Sequence, residues 1–286
     1  MAEPHSIIIT ASDQHRFNAT VYPMDDSSKP VLIFLSALGT PAKVYRHFGR
    51  EMSAQGVQVC TPDWRGIESS SVRAGRSSDF GYRHLLEIDL PAMIKAVRKA
   101  LPHAPIWLGG HSLGGQMALL GAASDSQGIT GVVLVASGSV DLRCYRGKLR
   151  WGVLFLASIS GIAGQLFGYF PGSRVGFGGR EAAGLMRDWS HVAWTGEYRP
   201  VGSELDYEHL LRSLHVPVLA ITFAADLWAP LPAAKALLDK IPIRSATHWN
   251  WSASDTAGVA IDHYSWLKQP ALVAPALAKH IQRIGS

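Results

Sequence analysis

Ser112 lies in the run Gly110-His111-Ser112-Leu113-Gly114, between the apolar stretch Pro105-Ile106-Trp107-Leu108 and a helix-compatible stretch from Gly115 to Ala123. This is a G-x-S-x-G pattern in the order strand, tight turn, helix. A serine held on a strained backbone at a strand end projects its hydroxyl clear of the sheet, where it can attack a carbonyl carbon. The residues two before and two after it press against neighbouring backbone, and glycine has no Cβ to clash there. The five-residue pattern alone says little in a chain with 28 glycines. Its setting is what points to nucleophilic chemistry at Ser112.

A serine hydroxyl is a weak nucleophile at neutral pH and needs a base, which in turn needs a group to orient it. The chain has 12 histidines, so their number decides nothing. In parallel-sheet proteins with such an elbow the order along the chain is serine, then acid, then histidine. Asp226 follows the apolar run ending Ile221-Thr222-Phe223, where the acid is expected. His263 falls in a loop before the last helix, where the base is expected. His248 falls inside a predicted strand, His280 near the surface end of the terminal helix, and His111 points away from its neighbour Ser112. Asp255 and Asp262 are alternative orienting acids beside the histidine loop.

Attack on a carbonyl builds charge on its oxygen, and two backbone N–H groups aimed at one point can hold that charge. One is expected from Leu113, the residue after the nucleophile. The other is expected from the loop Ser36-Ala37-Leu38-Gly39-Thr40-Pro41, with Leu38 preferred because Gly39 permits the sharp turn.

These groups need a scaffold. Ser6–Thr10 and Phe17–Tyr22 read as an opening hairpin. Val31–Leu35, Val57–Thr61, Ile106–Leu108, Val132–Val135, Val216–Thr222 and Thr247–Trp251 read as strands, the continuous apolar runs among them as strands buried on both faces. Val44–Gln55, Leu85–Ala100, Leu113–Ala123, Leu231–Leu238 and Ala271–Ile284 read as helices. Alternating strands and helices imply a mostly parallel sheet. Residues 140–205 break the rhythm and read as an irregular insertion, with the sheet domain formed by 1–139 and 206–286. Trp151, Phe155, Phe167, Phe170, Trp189 and Trp194 in that insertion are available to line an apolar pocket.

Composition narrows the alternatives. With 286 residues, 47% apolar and 17% charged, the chain can bury a sizeable core. Cys60 and Cys144, the only two cysteines, make no disulfide framework. Met1–Ser6 lacks the features of a signal peptide, so the expectation is a cytoplasmic protein. The net charge of +5 is mostly scattered. The local cluster Arg143, Arg146, Lys148 and Arg150 has no nucleic-acid motif around it, and no nucleic-acid partner is expected. Trp151–Phe170 has no charge and nearly the length of a membrane span. A span there would part Ser112 from Asp226 and His263, so the segment reads as buried or lid-forming, without stable insertion and with transient lipid contact left open. The oligomeric state is also left open.

Along nearly its whole length the chain resembles the α/β-hydrolase fold superfamily. Gly110–Gly115 resembles the family elbow, and Pro62-Asp63-Trp64-Arg65-Gly66 resembles its Asp-x-Arg-Gly turn. Ser36-Ala37-Leu38-Gly39 stands where many members have a His-Gly pair. Gly168-Tyr169-Phe170-Pro171-Gly172 resembles a bacterial subgroup of uncharacterised predicted serine hydrolases. The resemblance implies an α/β fold with a mostly parallel sheet, helices on both faces and an inserted cap. It also implies acyl transfer through Ser112, His263 and Asp226 with no cofactor or metal. A carboxylic ester with an apolar group is the expected small-molecule substrate. Thioesters, amides and peptides remain alternatives, as does a non-catalytic ligand binder on the same fold. Dehalogenase and epoxide hydrolase chemistry is disfavoured, because those reactions use an aspartate where Ser112 stands.

Overall fold

A computed structural model describes residues 3–285; Met1 and Ala2, part of the opening stretch read above, lie outside the described residues. An antiparallel hairpin opens the chain, β1 (His5–Thr10) and β2 (Arg16–Tyr22). Then follow β3 (Val31–Leu35), α1 (Arg46–Ala54), β4 (Gln58–Pro62), α2 (Leu90–Ala100), β5 (Ile106–His111), α3 (Leu113–Ser124) and β6 (Ile129–Val135). The chain next forms α4 (Gly147–Phe167), the short strands β7 (Tyr169–Pro171) and β8 (Arg180–Ala182), α5 (Ala183–Thr195) and α6 (Tyr207–Arg212). It returns with β9 (Val218–Phe223), α7 (Leu231–Leu238), β10 (Ala246–Trp251) and α8 (Ala274–Gly285).

The main sheet has the order β1-β2-β4-β3-β5-β6-β9-β10, parallel from β4 to β10. This is the α/β-hydrolase fold. Alternate residues of β3 serve opposite faces, as strand geometry requires. Val31, Ile33 and Leu35 pack with the core that α2 and α3 cover. Leu32 and Phe34 pack with the core that α1 and α8 cover. The strand order reverses between β3 and β5, and crevices at the carboxyl ends of strands at such a reversal are where α/β proteins hold ligands.

Two helix starts and one whole segment differ instructively from the sequence reading. The first helix starts as a 3-10 turn, Ala42–Tyr45, before α1. The second starts as a π-helical turn, His84–Asp89, before Pro91 opens α2. Residues 140–205 are not irregular: α4 and α5 are long helices packed on one another. Four glycines obscure α4, because glycine is a poor helix former by intrinsic propensity. Gly164 has a packing reason to be glycine, since a Cβ there would come within 2.8 Å of the Ala183 Cβ. Helix α4 is long and apolar enough to cross a membrane, but its buried face, Val153, Leu156, Ala157 and Ser160, is packed against protein.

Candidate active site

At the end of β5 the backbone of Ser112 takes φ 56° and ψ −119°, a conformation that costs energy for any residue with a Cβ. Its surroundings hold it there. The Ser112 N–H donates to Val135 O (3.1 Å), and the Ser137 hydroxyl donates to Ser112 O (2.7 Å). The flanking glycines have no alternative. A Cβ on Gly114 would lie 2.1 Å from Leu35 O, and one on Gly110 would lie 2.3 Å from the Gly114 carbonyl carbon. Helix α3 starts at once, so the Leu113 N–H is the first unsatisfied donor at its positive end.

After β9 the chain turns through Asp226. Its Oδ1 accepts the N–H groups of Trp228 (2.8 Å) and Ala229 (2.9 Å). Oδ2 faces His263 Nδ1 at 2.8 Å. The aspartate is therefore at once a turn residue and the partner of the histidine. Because Oδ2 accepts, Nδ1 carries the hydrogen and Nε2 is left with a lone pair. Both side chains are buried. Asp255 and Asp262 are spent elsewhere, on Ser252 and on the turn at Tyr264–Ser265.

Ser112 and His263 line one cavity of about 100 Å³, together with Leu38 and Leu113. Neither the Leu38 N–H nor the Leu113 N–H has a protein acceptor among the described residues. Their loop is held from behind. The Ala37 N–H donates to the Tyr45 hydroxyl (2.9 Å), which pairs with Nδ1 of His111 (2.9 Å). The Trp64 indole N–H donates to Ser36 O (2.8 Å). Gly39 is pressed against the chain that follows β7. A Cβ there would meet Gly179 N at 2.3 Å and the Gly178 carbonyl carbon at 2.6 Å, and its φ of 67° already suits glycine.

The structure thus brings Ser112, Asp226, His263, Leu38 and Leu113 to one place. Other expectations change. Of the aromatic residues between 151 and 194 expected to line the pocket, only Trp189 does. Phe170 is core, while Trp151, Phe155, Phe167 and Trp194 are exposed, because the helical period turns them outward. The cavity takes Tyr145, Phe177, Trp228 and Tyr264 instead, which no spacing signal marked. His280 is buried against Trp107 and Trp249 rather than at the surface, since α8 lies flat on the sheet. The His111 ring lies 4.8 Å from that of His263. Burial holds its pKa well below the usual imidazole value, with His263 adding to the effect, so it is neutral at pH 7. His248 is half-buried and bonded to Thr222 (2.8 Å).

The family model of serine aminopeptidase, S33, matches residues 26–171, just over half of the chain and including the elbow. The chain belongs to this α/β-hydrolase family. The matched stretch stops before Asp226 and His263. A search of the curated proteins finds no match. Among solved structures, the chain is similar to the esterase domain of a Rhodothermus marinus protein, with 15% identity, a TM-score of 0.63 and 100% of both chains covered. It is similar to Est1E from Butyrivibrio proteoclasticus bound to ferulic acid, with 15% identity, a TM-score of 0.65 and 97% and 98% covered. It is also similar to a monoacylglycerol lipase from Paleococcus ferrophilus, with 14% identity, a TM-score of 0.61 and 99% and 100% covered. At these identities the likeness is one of fold.

Proposed function

We propose that the protein is a serine hydrolase that cleaves a carboxylic ester through an acyl-enzyme. The observation that carries this is the 2.8 Å contact between His263 Nδ1 and Asp226 Oδ2, with His263 and Ser112 lining one cavity. His263 Nε2 takes the Ser112 proton as Oγ attacks the carbonyl carbon. Asp226 fixes the tautomer and stabilises the imidazolium. The Leu38 and Leu113 N–H groups receive the tetrahedral oxyanion. His263 returns its proton to the departing alkoxide, the alcohol leaves, and the same base activates water to release the acid.

The cavity wall supports an ester over an amino-terminal peptide. Apart from Ser112 and His263, its residues are apolar, aromatic, or the neutral polar Gln116, and none is an aspartate or glutamate that would hold a substrate ammonium. Residues 140–205 act in this reading as a cap, contributing Val140, Tyr145, Val153, Gly176, Phe177, Gly178 and Trp189 to the wall. In this reading the protein is cytoplasmic, and the free thiols of Cys60 and Cys144 are compatible with that.

The test is hydrolysis of p-nitrophenyl acetate and butyrate by the wild type and Ser112→Ala. Loss of the nucleophile is expected to lower kcat by a factor on the order of 10⁴ or more with folding intact. A Ser112→Ala variant that retains the rate sinks the proposal. Labelling of Ser112 by a fluorophosphonate separates an enzyme from a non-catalytic binder.

A further inference from the structure

We propose that the outer face of α4 docks on an anionic lipid surface. Trp151, Phe155, Ile162 and Leu166 recur at helical spacing on one side of α4, and all four are exposed, Trp151 by 70%. Trp194 is exposed on the neighbouring helix α5, which runs back along α4: Gly164 meets Ala183 at one end, and Arg143 reaches Thr195 O at the other. One helix therefore has two working faces. The inner one supplies Val153 to the cavity, and the outer one leaves Trp151, Phe155, Ile162 and Leu166 more than half exposed, with Arg76 donating to Leu166 O near its far end.

Charge identifies the occupant. From Leu142 to Arg180 the chain contains no aspartate or glutamate. Arg146, Lys148, Arg150 and Arg174 are exposed there, and none makes an ion pair among the described residues. Lys148 and Arg150 lie in the opening turns of α4, whose N-terminus carries no acidic residue and no side-chain cap. Cations at a helix N-terminus oppose the helix dipole, so folding alone does not favour them there. A tryptophan beside a set of cations matches the headgroup level of an anionic bilayer, where the ring sits at the interface and each cation adds attraction. A second copy of the chain is a poor fit, because face-to-face pairing would bring these like charges together. The inference does not rest on the chemistry proposed at Ser112.

The test is sedimentation of the full-length protein with phosphatidylcholine vesicles, with and without phosphatidylglycerol, at low and high salt. Two double variants accompany it, Trp151→Ser with Phe155→Ser, and Lys148→Glu with Arg150→Glu. Hydrolysis of p-nitrophenyl acetate and the circular dichroism of each variant report folding and the catalytic site separately. The wild type is expected to bind the phosphatidylglycerol vesicles, to bind neutral ones weakly, and to be released by salt. Each double variant is expected to lose binding by about tenfold or more with its folding and ester hydrolysis unchanged. Equal binding to both vesicle types, binding unaffected by either variant, or no binding at all would overturn the proposal. So would a dimer at working concentration that the Trp151→Ser and Phe155→Ser changes abolish.

Discussion

Glu181 is a carboxyl group enclosed by protein, taking the Gly179 N–H at 2.6 Å and lying against Gly39. Burial pushes its pKa from 4.5 up to about 7. The folded state therefore holds this proton more tightly than the unfolded chain does. Stability from this group is greatest below about pH 4.5 and declines as pH rises to about 7, beyond which it changes no further. The whole effect is on the order of 3 kcal/mol. Glu181→Gln keeps the acceptor and removes the titration. Urea midpoints of the variant are expected to exceed those of the wild type by a margin that grows from pH 5 to pH 7. A constant margin would show that burial does not perturb the group. Nothing in the sequence around Glu181 marks it, because its enclosure comes from a turn more than a hundred residues earlier. His111 carries the same lesson. Its place in the elbow was legible, but its pairing with Tyr45 depends on where α1 begins. Ser112, Asp226 and His263 were legible because strand ends have a fixed order along the chain, and that order needs no contacts to read.

Among the elements, the turn after β4 is anchored by a buried ionic cluster. Arg65 donates to both oxygens of Asp89, at 3.0 and 2.6 Å, and to Asp13 at 2.7 Å. His15 Nδ1 lies 3.1 Å from Asp89 Oδ1, an oxygen it shares with Arg65. The Asp89 side chain has no solvent exposure. Removing it strands the guanidinium with one half-exposed partner, and a broken buried pair costs about 3–5 kcal/mol. Asp89→Ala is expected to lower stability by that amount in thermal or urea unfolding followed by circular dichroism. A loss below about 1 kcal/mol would mean that Arg65 reaches water instead. The Asp63-Trp64-Arg65-Gly66 turn was readable from its residues; its anchor in the π-helical turn before α2 was not, because that turn is set by tertiary packing. The same reason hid α4. Its four glycines lower helix propensity, and packing against α5 overrides it.

At the scale of the molecule, the cavity of about 100 Å³ limits what fits beside Ser112. Phe177 and Trp228 meet across it with ring centres 5.7 Å apart. A short acyl group fits such a volume and a long one does not unless the roof moves. Among p-nitrophenyl esters, acetate and butyrate are expected to give kcat/KM values at least about tenfold above those of laurate and palmitate. The reverse order would show that the roof opens in solution. The parallel sheet was legible from its apolar runs, and with it the edge where the site lies. The pocket wall was not, since Tyr145, Phe177 and Trp228 meet only through the path of the chain between β6 and β9 and the turn after β9.

The seam between Gly39 and Gly178–Gly179 has a consequence for how this protein can change. The turn that presents the Leu38 N–H and the roof of the pocket touch there, backbone to backbone, with no room for a side chain on Gly39. A substitution at that point redraws the pocket and displaces the donor in the same step. Val140, Val153 and Trp189 line the wall away from that seam, so a change at any of them reshapes the cavity and leaves the seam alone.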